Sequence, residues 1–386
     1  MAPVKRYAVG AGAVLAVLVL LAGGVAWFGG GYDRWRSARL VTDACDGVLP
    51  ADEVRAVLGD RRLKAGKDTS EGSLDDTTTS LRVTCGIARG ADPHDGAHPG
   101  EATMTVTANG VPTLDREGRR YESLYPPVRS TLPPAPLGQG WSGVFAMGHH
   151  SSGEAEATTS VLLDCAPGRG DLLVTVAVEG KKYLDGSPLD NPERRTAFAR
   201  VATATAANAS RRWNCDADLG EPPATVPLPV NEDEYVAPAD AEGACSGVTA
   251  RGKTVDRVWE SGSGAAPIEE CVLGDAKGTA SRLTALYGPY AEGARHDAAE
   301  HTGKPHPSES GQRSGVLDEG DYWTSAECPG DGGPALFGLT GGHDDETQET
   351  GADRAYALSV LKTFAERSAA AHGCAAPAAP TATTAP

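Results

Sequence analysis

The sequence predicts an α+β protein with two related halves behind one transmembrane helix. Each half is expected to be an antiparallel sheet covered on one face by a short N-terminal helix and a long C-terminal helix. Three observations predict this. One uncharged apolar run stands near the amino terminus, eight cysteines fall into two sets of four with similar surroundings, and the strand-like runs of each half lie between helical stretches. Because strands and helices do not interleave, a parallel α/β fold is disfavoured.

The apolar run extends from Tyr7 to Phe28, 22 residues without a charge, after Lys5 and Arg6 and before Gly29-Gly30-Gly31 and Asp33. As a helix it would span about 33 Å, close to a hydrocarbon core of about 30 Å. A cleaved signal peptide has an apolar stretch of only about 7–15 residues, so length favours a retained anchor. Cleavage at Gly24-Val25-Ala26 is the competing reading. Arg34, Arg36 and Arg39 after the span offset Lys5 and Arg6 before it, which leaves the positive-inside rule nearly balanced. Eight cysteines suited to disulfides decide the orientation, since such bonds need an oxidising compartment. The chain is thus expected to be a single-pass protein of the cell membrane with its bulk extracytoplasmic. Its divisions are a cytoplasmic N-terminus (1–6), the transmembrane helix (7–28), a juxtamembrane segment (29–42), a first half (43–215), a Pro-rich acidic linker (216–243), a second half (244–374) and a disordered tail (375–386).

The cysteines recur in order. Ala44-Cys45-Asp46-Gly47-Val48 reads like Ala244-Cys245-Ser246-Gly247-Val248, and Cys85 and Cys271 each sit in a short strand. Cys165 and Cys328 each follow a strand-like run and precede a Gly-containing turn and another strand, while Cys215 and Cys374 each close an Ala-rich helix. Four such matches in sequence make a duplicated unit the favoured reading. Four cysteines alone permit three connectivities. Geometry selects one if the helix returns antiparallel to the hairpin strand. The strand Asp171 to Gly180 carries the chain some 33 Å away, and a helix of about 20 residues brings it back about 30 Å. That predicts Cys45–Cys85, Cys165–Cys215, Cys245–Cys271 and Cys328–Cys374.

In the first half, Pro50 to Leu58 reads as a short helix with proline at its start and Gly59 past its end. Strands are expected at Leu81–Gly86, Ala102–Ala108, Gly143–Met147, Thr159–Asp164 and Asp171–Val178. A long helix begins at Asn191-Pro192-Glu193, with Phe198, Val201, Ala202, Thr205, Ala209 and Trp213 on one face. Its counterpart begins near Thr350, with Asp353 at capping-box spacing and a stripe of Leu358, Leu361, Phe364, Ala365 and Ser368. A poorer short helix is expected near Lys253 to Glu260. The linker, with Pro222, Pro223, Pro227, Pro229 and the acidic run Asn231 to Glu234, should be extended.

Composition narrows the partners. The 48 glycines and 27 prolines among 386 residues call for long irregular loops. A formal charge of −17 disfavours nucleic acid, whose binding rests on Lys and Arg displacing counterions, and it disfavours anionic lipid surfaces as well. The stretch DACDGVLPADEVRAVLG, Asp43 to Gly59, resembles the opening of cysteine-bearing extracytoplasmic proteins of actinobacteria, lipoprotein-like or sensor-like and of unknown function. The resemblance covers about Asp43 to Cys215. This chain departs from the pattern by lacking a lipobox cysteine and by adding a second half. The resemblance implies export and binding or sensing at the cell surface, and no catalytic residue.

The residues with catalytic or ligand chemistry are few and scattered. His296, Asp297, Glu300, His301 and His306 form the densest set of metal-ligand types, with Asp297 and His301 one helical turn apart. Gly293, Gly303, Pro305 and Pro307 around them indicate a mobile polar loop instead, and no metal or other cofactor is expected. Asp92, His94 and His98, and the run His343 to Glu346, read as solvated turns. His149-His150-Ser151-Ser152 reads as a loop between strands, because a catalytic triad is assembled from separated segments. GxSxG, HExxH and Walker A patterns are absent from the sequence. The long loop Pro112 to Gly140 carries Tyr121 and Tyr125, which either contact a partner or pin the loop to the sheet. The expected function is therefore a non-enzymatic extracytoplasmic binding or sensing module. Its expected partners are the membrane, through the N-terminal helix, and an envelope protein or peptide. An envelope-polymer hydrolase and a metal-binding surface protein are the alternatives.

Overall fold

A computed structural model describes residues 31–382 except 61, 75–80, 91–100, 112–132, 150–154, 167–169, 181–190, 228–233, 303–305, 319, 330–332 and 342–349. It is a mixed α+β fold whose described residues form two antiparallel sheets and five α-helices. The first half opens with helices α1 (Tyr32–Asp43) and α2 (Ala51–Leu58). Strands β1 (Leu63–Ala65), β2 (Thr69–Glu71), β3 (Arg82–Arg89), β4 (Ala102–Val111), β5 (Ala135–Pro136), β6 (Gly143–His149), β7 (Ala155–Asp164) and β8 (Asp171–Glu179) follow, and helix α3 (Pro192–Arg212) closes the half. The second half contains β9 (Arg257–Glu260), β10 (Ile268–Asp275), β11 (Gly278–Leu286), α4 (Pro289–Thr302), β12 (Ser314–Asp318), β13 (Asp321–Ala326), β14 (Ala335–Gly341) and α5 (Gly351–Ala371). The first sheet runs β1-β3-β4-β8-β7-β6-β5, with β2 also on β3, and the second runs β12-β13-β14-β11-β10-β9.

Local chemistry sets the long helices. Asn191 caps α3 by accepting from the Glu193 and Arg194 amides at 2.9 and 3.2 Å, with Pro192 at the first helical position. On α5 the Thr350 hydroxyl accepts from the Asp353 amide at 3.2 Å, and the Asp353 carboxylate accepts from the Thr350 amide at 2.8 Å. Helix α3 buries Phe198, Val201, Ala202, Thr205 and Ala209 against the first sheet. Helix α5 buries Ala357, Val360, Leu361, Phe364 and Ala365 against the second, and the expected Leu358 is only half-buried at the edge of the stripe.

The residue alternation of the strands reveals a third layer of contact. Phe145 and Leu172 belong to the α3-side core, whereas Val144 and Leu173, one position away, belong to another cluster. In the second sheet Tyr322 and Phe337 face α5, whereas Trp323 and Leu336 join that other cluster. Since successive strand residues point to opposite faces, the two sheets meet through the faces that their helices leave open. The architecture is helix, sheet, sheet, helix. Seven consecutive residues of β8, Leu172 to Val178, are buried, as a strand covered on both faces requires.

Four disulfides join Cys45–Cys85, Cys165–Cys215, Cys245–Cys271 and Cys328–Cys374, with Cα separations of 5.4, 4.6, 5.1 and 4.1 Å. Each ties a turn or helix end to a strand on the helix-covered side of its own sheet. The loops they close, 26 to 50 residues long, correspond to about 3–4 kcal/mol each in the chain-entropy argument.

Several expectations need correction. The second half has no short N-terminal helix among the described residues. Arg251 and Val255 form a bridge, and Arg257–Glu260 is edge strand β9, paired with β10 through Val258↔Leu273 and Trp259↔Val272. Gly252 and the β-branched Thr254, Val255 and Val258 weaken a helix there, and strand pairing buries Val258 and Trp259. The expected loop around Gly293 is helix α4, whose Tyr290 and Ala291 are buried in the inter-sheet cluster; that burial outweighs the cost of about 1 kcal/mol for one glycine. The juxtamembrane segment contains α1, which buries Ser37 and Val41. Among the described residues no helix is long and apolar enough to cross a membrane, and Tyr7–Phe28 lies outside those residues.

The linker and tail are held by hydrogen bonds. Carbonyls of Glu221, Pro223 and Val226 accept from Trp141 Nε1, Arg200 Nε and Arg195 Nε at 2.7, 2.9 and 2.7 Å. Gly220 passes so close to Trp141 that an added Cβ would sit 2.6 Å from the indole, so no larger residue fits without movement. After α5, the Ala375 and Ala378 amides donate to the carbonyls of Glu327 and Ser325 at 2.7 and 3.1 Å. The Thr324 hydroxyl donates to the Ala378 carbonyl at 2.6 Å. These bonds order the start of a segment whose composition suggests disorder.

Trp323 is fully buried at the centre of the inter-sheet cluster. Replacing Trp323 by Ala should lower the unfolding free energy by about 3–5 kcal/mol in denaturant titration with disulfides intact. A loss under about 1 kcal/mol would mean that the sheets do not share this core.

Candidate functional site

An exposed aromatic and cationic cluster lies on α1. Its buried side carries Ser37 and Val41, and its opposite face carries Tyr32, Trp35 and Arg39 at helical spacings of three and four. Tyr32 and Trp35 are 41% and 52% exposed, the two rings lie 6.2 Å apart, and the Arg39 guanidinium stands 5.8 Å over the Trp35 ring. Between α1 and β1 lies a pocket of about 290 Å³, lined by Asp33, Arg36, Ser37, Arg62, Leu63 and Lys64. Arg62 adopts φ 56°, a left-handed backbone that costs a non-glycine residue roughly 1–2 kcal/mol. Nearby Arg34 is engaged with Asp60 at 2.7 Å, and Arg39 with Asp43 at 3.6 Å. Arg36 and Lys64 form no ion pair among the described residues. The pocket therefore holds three cationic side chains against one carboxylate.

A second constellation is internal. Glu269, at the start of β10 and 2% exposed, accepts from Ser368 Oγ at 3.0 Å and pairs with Arg367 at 2.9 Å and His372 Nε2 at 3.0 Å. Tyr287 shares a 2.6 Å hydrogen bond with Ser368 and stacks on His372 with ring centroids 3.5 Å apart. Burial pushes the Glu269 carboxyl up, but the His372 bond, the Arg367 and His372 charges and the Ser368 bond outweigh it and hold the group below the usual carboxylate range. The set contains Ser, His and Glu, yet the serine hydroxyl bonds to the carboxylate and not to the imidazole. It lacks the nucleophile-to-base contact of a triad. It fastens the end of α5 to the second sheet.

Polar groups also line the contact between the sheets. His306 is 2% exposed, its Nδ1 lies 2.7 Å from Ser308 Oγ, and its ring meets Trp323 edge-on at 4.6 Å. Burial and the Arg295 charge lower its pKa to about 4, so it is neutral near pH 7. At the end of the β7–β8 hairpin the register sets Asp164 opposite Asp171, on the same faces as Leu162 and Leu173. Burial, with the Asp164 charge, raises the Asp171 pKa to about 7.

Of the metal-ligand, loop and partner-contact residues selected from the sequence, only His306 has a described side chain. His296, Asp297, Glu300 and His301 lie along α4, and their side chains are outside the described residues. His306 serves as a buried cap for the turn Pro307–Ser310. Tyr121, Tyr125, Asp92, His94, His98, His150, Ser151, Ser152 and His343 to Glu346 also lie outside the described residues, as does the His149 side chain. Among the described residues no group of three His, Cys, Asp or Glu side chains could hold a metal ion. Sequence reasoning missed the α1 pocket, whose cations Arg36 and Arg62 are 26 positions apart in the chain. The signal was present in Arg36, Arg62 and Lys64, but only the contact of α1 with β1 joins them. Comparison with family models, curated proteins and solved structures finds no match for this chain.

The Asp164–Asp171 pair makes a pH prediction. A carboxyl whose folded pKa is raised contributes stability below its unfolded pKa of about 4, and that contribution is lost as pH rises through about 7. Asp171→Asn should therefore raise the melting temperature at pH 8 relative to the parent, with a much smaller difference at pH 4. Equal effects at the two pH values, in thermal melts followed by circular dichroism, would contradict the half-buried, like-charged environment.

Proposed function

We propose that this protein is a non-enzymatic binding module held at the cell membrane by Tyr7–Phe28, with its body on the extracytoplasmic side, where it engages an envelope component. The observation that carries this reading is α1. This helix begins four residues after the apolar run and presents Tyr32, Trp35 and Arg39 to solvent beside a pocket rich in cations. Aromatic rings with one apolar and one polar edge favour the membrane–water interface. The four disulfides support the oxidising side of the membrane.

The two halves are read as copies of one unit. In each sheet the shared strands follow one order, β3-β4-β8-β7-β6 in the first and β10-β11-β14-β13-β12 in the second, and each half closes with a capped 21-residue helix. Corresponding cysteines occupy corresponding strands and helix ends. After duplication the copies diverged, α1 and α2 being particular to the first half and α4 to the second among the described residues.

Alkaline extraction of native membranes should leave the full chain in the membrane pellet, and protease added from outside should reach the body in intact cells. A mature form beginning near Trp27 and recovered free of membrane would contradict the anchored reading.

A further inference from the structure

We propose that the pocket between α1 and β1 binds the phosphodiester of an anionic phospholipid headgroup, and so sets the orientation of the body on the bilayer. The inference rests on the anchored reading and adds a ligand class to it. The argument begins with reach. Asp33, the first pocket residue in the chain, follows Phe28 by five residues, which extend at most about 18 Å. The headgroup region occupies several ångströms on each side of the hydrocarbon core, so the anchor confines the pocket to the neighbourhood of the phosphates.

Charge comes next. A phosphodiester carries one negative charge and oxygens that only accept hydrogen bonds. Arg36, Arg62 and Lys64 supply cationic donors from two elements, and Ser37, 3% exposed, adds a hydroxyl among the lining groups. Arg36 and Lys64 have no carboxylate partner among the described residues, whereas Arg34 and Arg39 have one each. In a chain with a formal charge of −17, three cationic side chains gathered in one concavity run against the overall balance. The overall charge argues against broad adsorption to anionic lipid, but it does not bear on one local site within a Debye length of its ligand. Trp35 and Tyr32 stand on the same helix, at the depth where aromatic rings accompany headgroups.

The test uses the full chain in micelles of an uncharged detergent. Dihexanoyl phosphatidylglycerol, dihexanoyl phosphatidylcholine and inorganic phosphate are titrated separately by isothermal calorimetry. Phosphatidylglycerol should bind saturably, phosphatidylcholine at least tenfold more weakly, and inorganic phosphate more weakly than phosphatidylglycerol. The double variant Arg36→Gln/Lys64→Gln should weaken phosphatidylglycerol binding by about tenfold or more, with its circular dichroism unchanged. Asp33→Asn, which removes the one carboxylate of the pocket, should tighten binding, a gain that misfolding cannot imitate. Absent phosphatidylglycerol binding, or binding unaffected by these substitutions, would overturn the proposal. Inorganic phosphate binding as tightly as the lipid would also overturn it, by reassigning the pocket to a free anion. Membrane extraction of the same variants separates the two readings. A double variant that stays in the membrane but binds no differently sinks the pocket alone, while a parent chain free of membrane sinks the anchored reading itself.

Discussion

The structure depends on the apolar contact between the two sheets. Val144 and Leu173 of the first sheet and Ile268, Leu286, Trp323 and Leu336 of the second would otherwise lie on open faces. Burying a large apolar side chain contributes about 1.5–3 kcal/mol, so the contact supplies a stabilisation at least comparable to the two disulfides of one half. It also dictates the rest of the layering. Once each sheet gives one face to the other, its remaining face must be covered from outside, and α3 and α5 perform that task. The disulfides follow the same division: their cysteines lie in or against the two helix-side cores and none lies in the contact between sheets. All four disulfides stay within one half, and the halves meet through the apolar cluster between the sheets.

Parts of this were legible in the sequence for definite physical reasons. The caps at Asn191 and Thr350 and the stripe from Phe198 to Ala209 are local signals, readable because they depend on spacing along one helix. From the sequence each sheet is expected to be covered on one face; burial on both was missed, although the run Leu172–Val178 of β8, broken only by Thr175, carries it, since alternation would mark a half-exposed strand. Such a run identifies a doubly covered strand without saying what covers the second face. Helix α4 and strand β9 escaped because long-range burial decided both: Tyr290 and Ala291 draw a glycine-containing segment into a helix, and pairing with β10 claims Arg257–Glu260. The candidate site was least legible. Its cations are distant in sequence, and the negative formal charge of the whole chain conceals a local excess of positive groups.

Buried and half-buried polar groups are distributed according to what each can find as a partner. Glu269 has an arginine, a histidine and a serine around it and stays ionised deep in the second half. Asp171 meets another carboxylate and resists ionisation. His306, between Trp323 and the charge of Arg295, keeps its neutral form. Such groups mark the places where the interior is most sensitive to pH, and they lie away from the exposed end at α1. The binding proposed at α1 and stability in the core thus draw on separate sets of residues.

The shared core between the sheets is tested most directly by scanning calorimetry of the full chain in uncharged micelles with its disulfides intact. A common core makes the halves unfold together, in one transition whose calorimetric and van't Hoff enthalpies agree. Two separable transitions, one for each half, would contradict it.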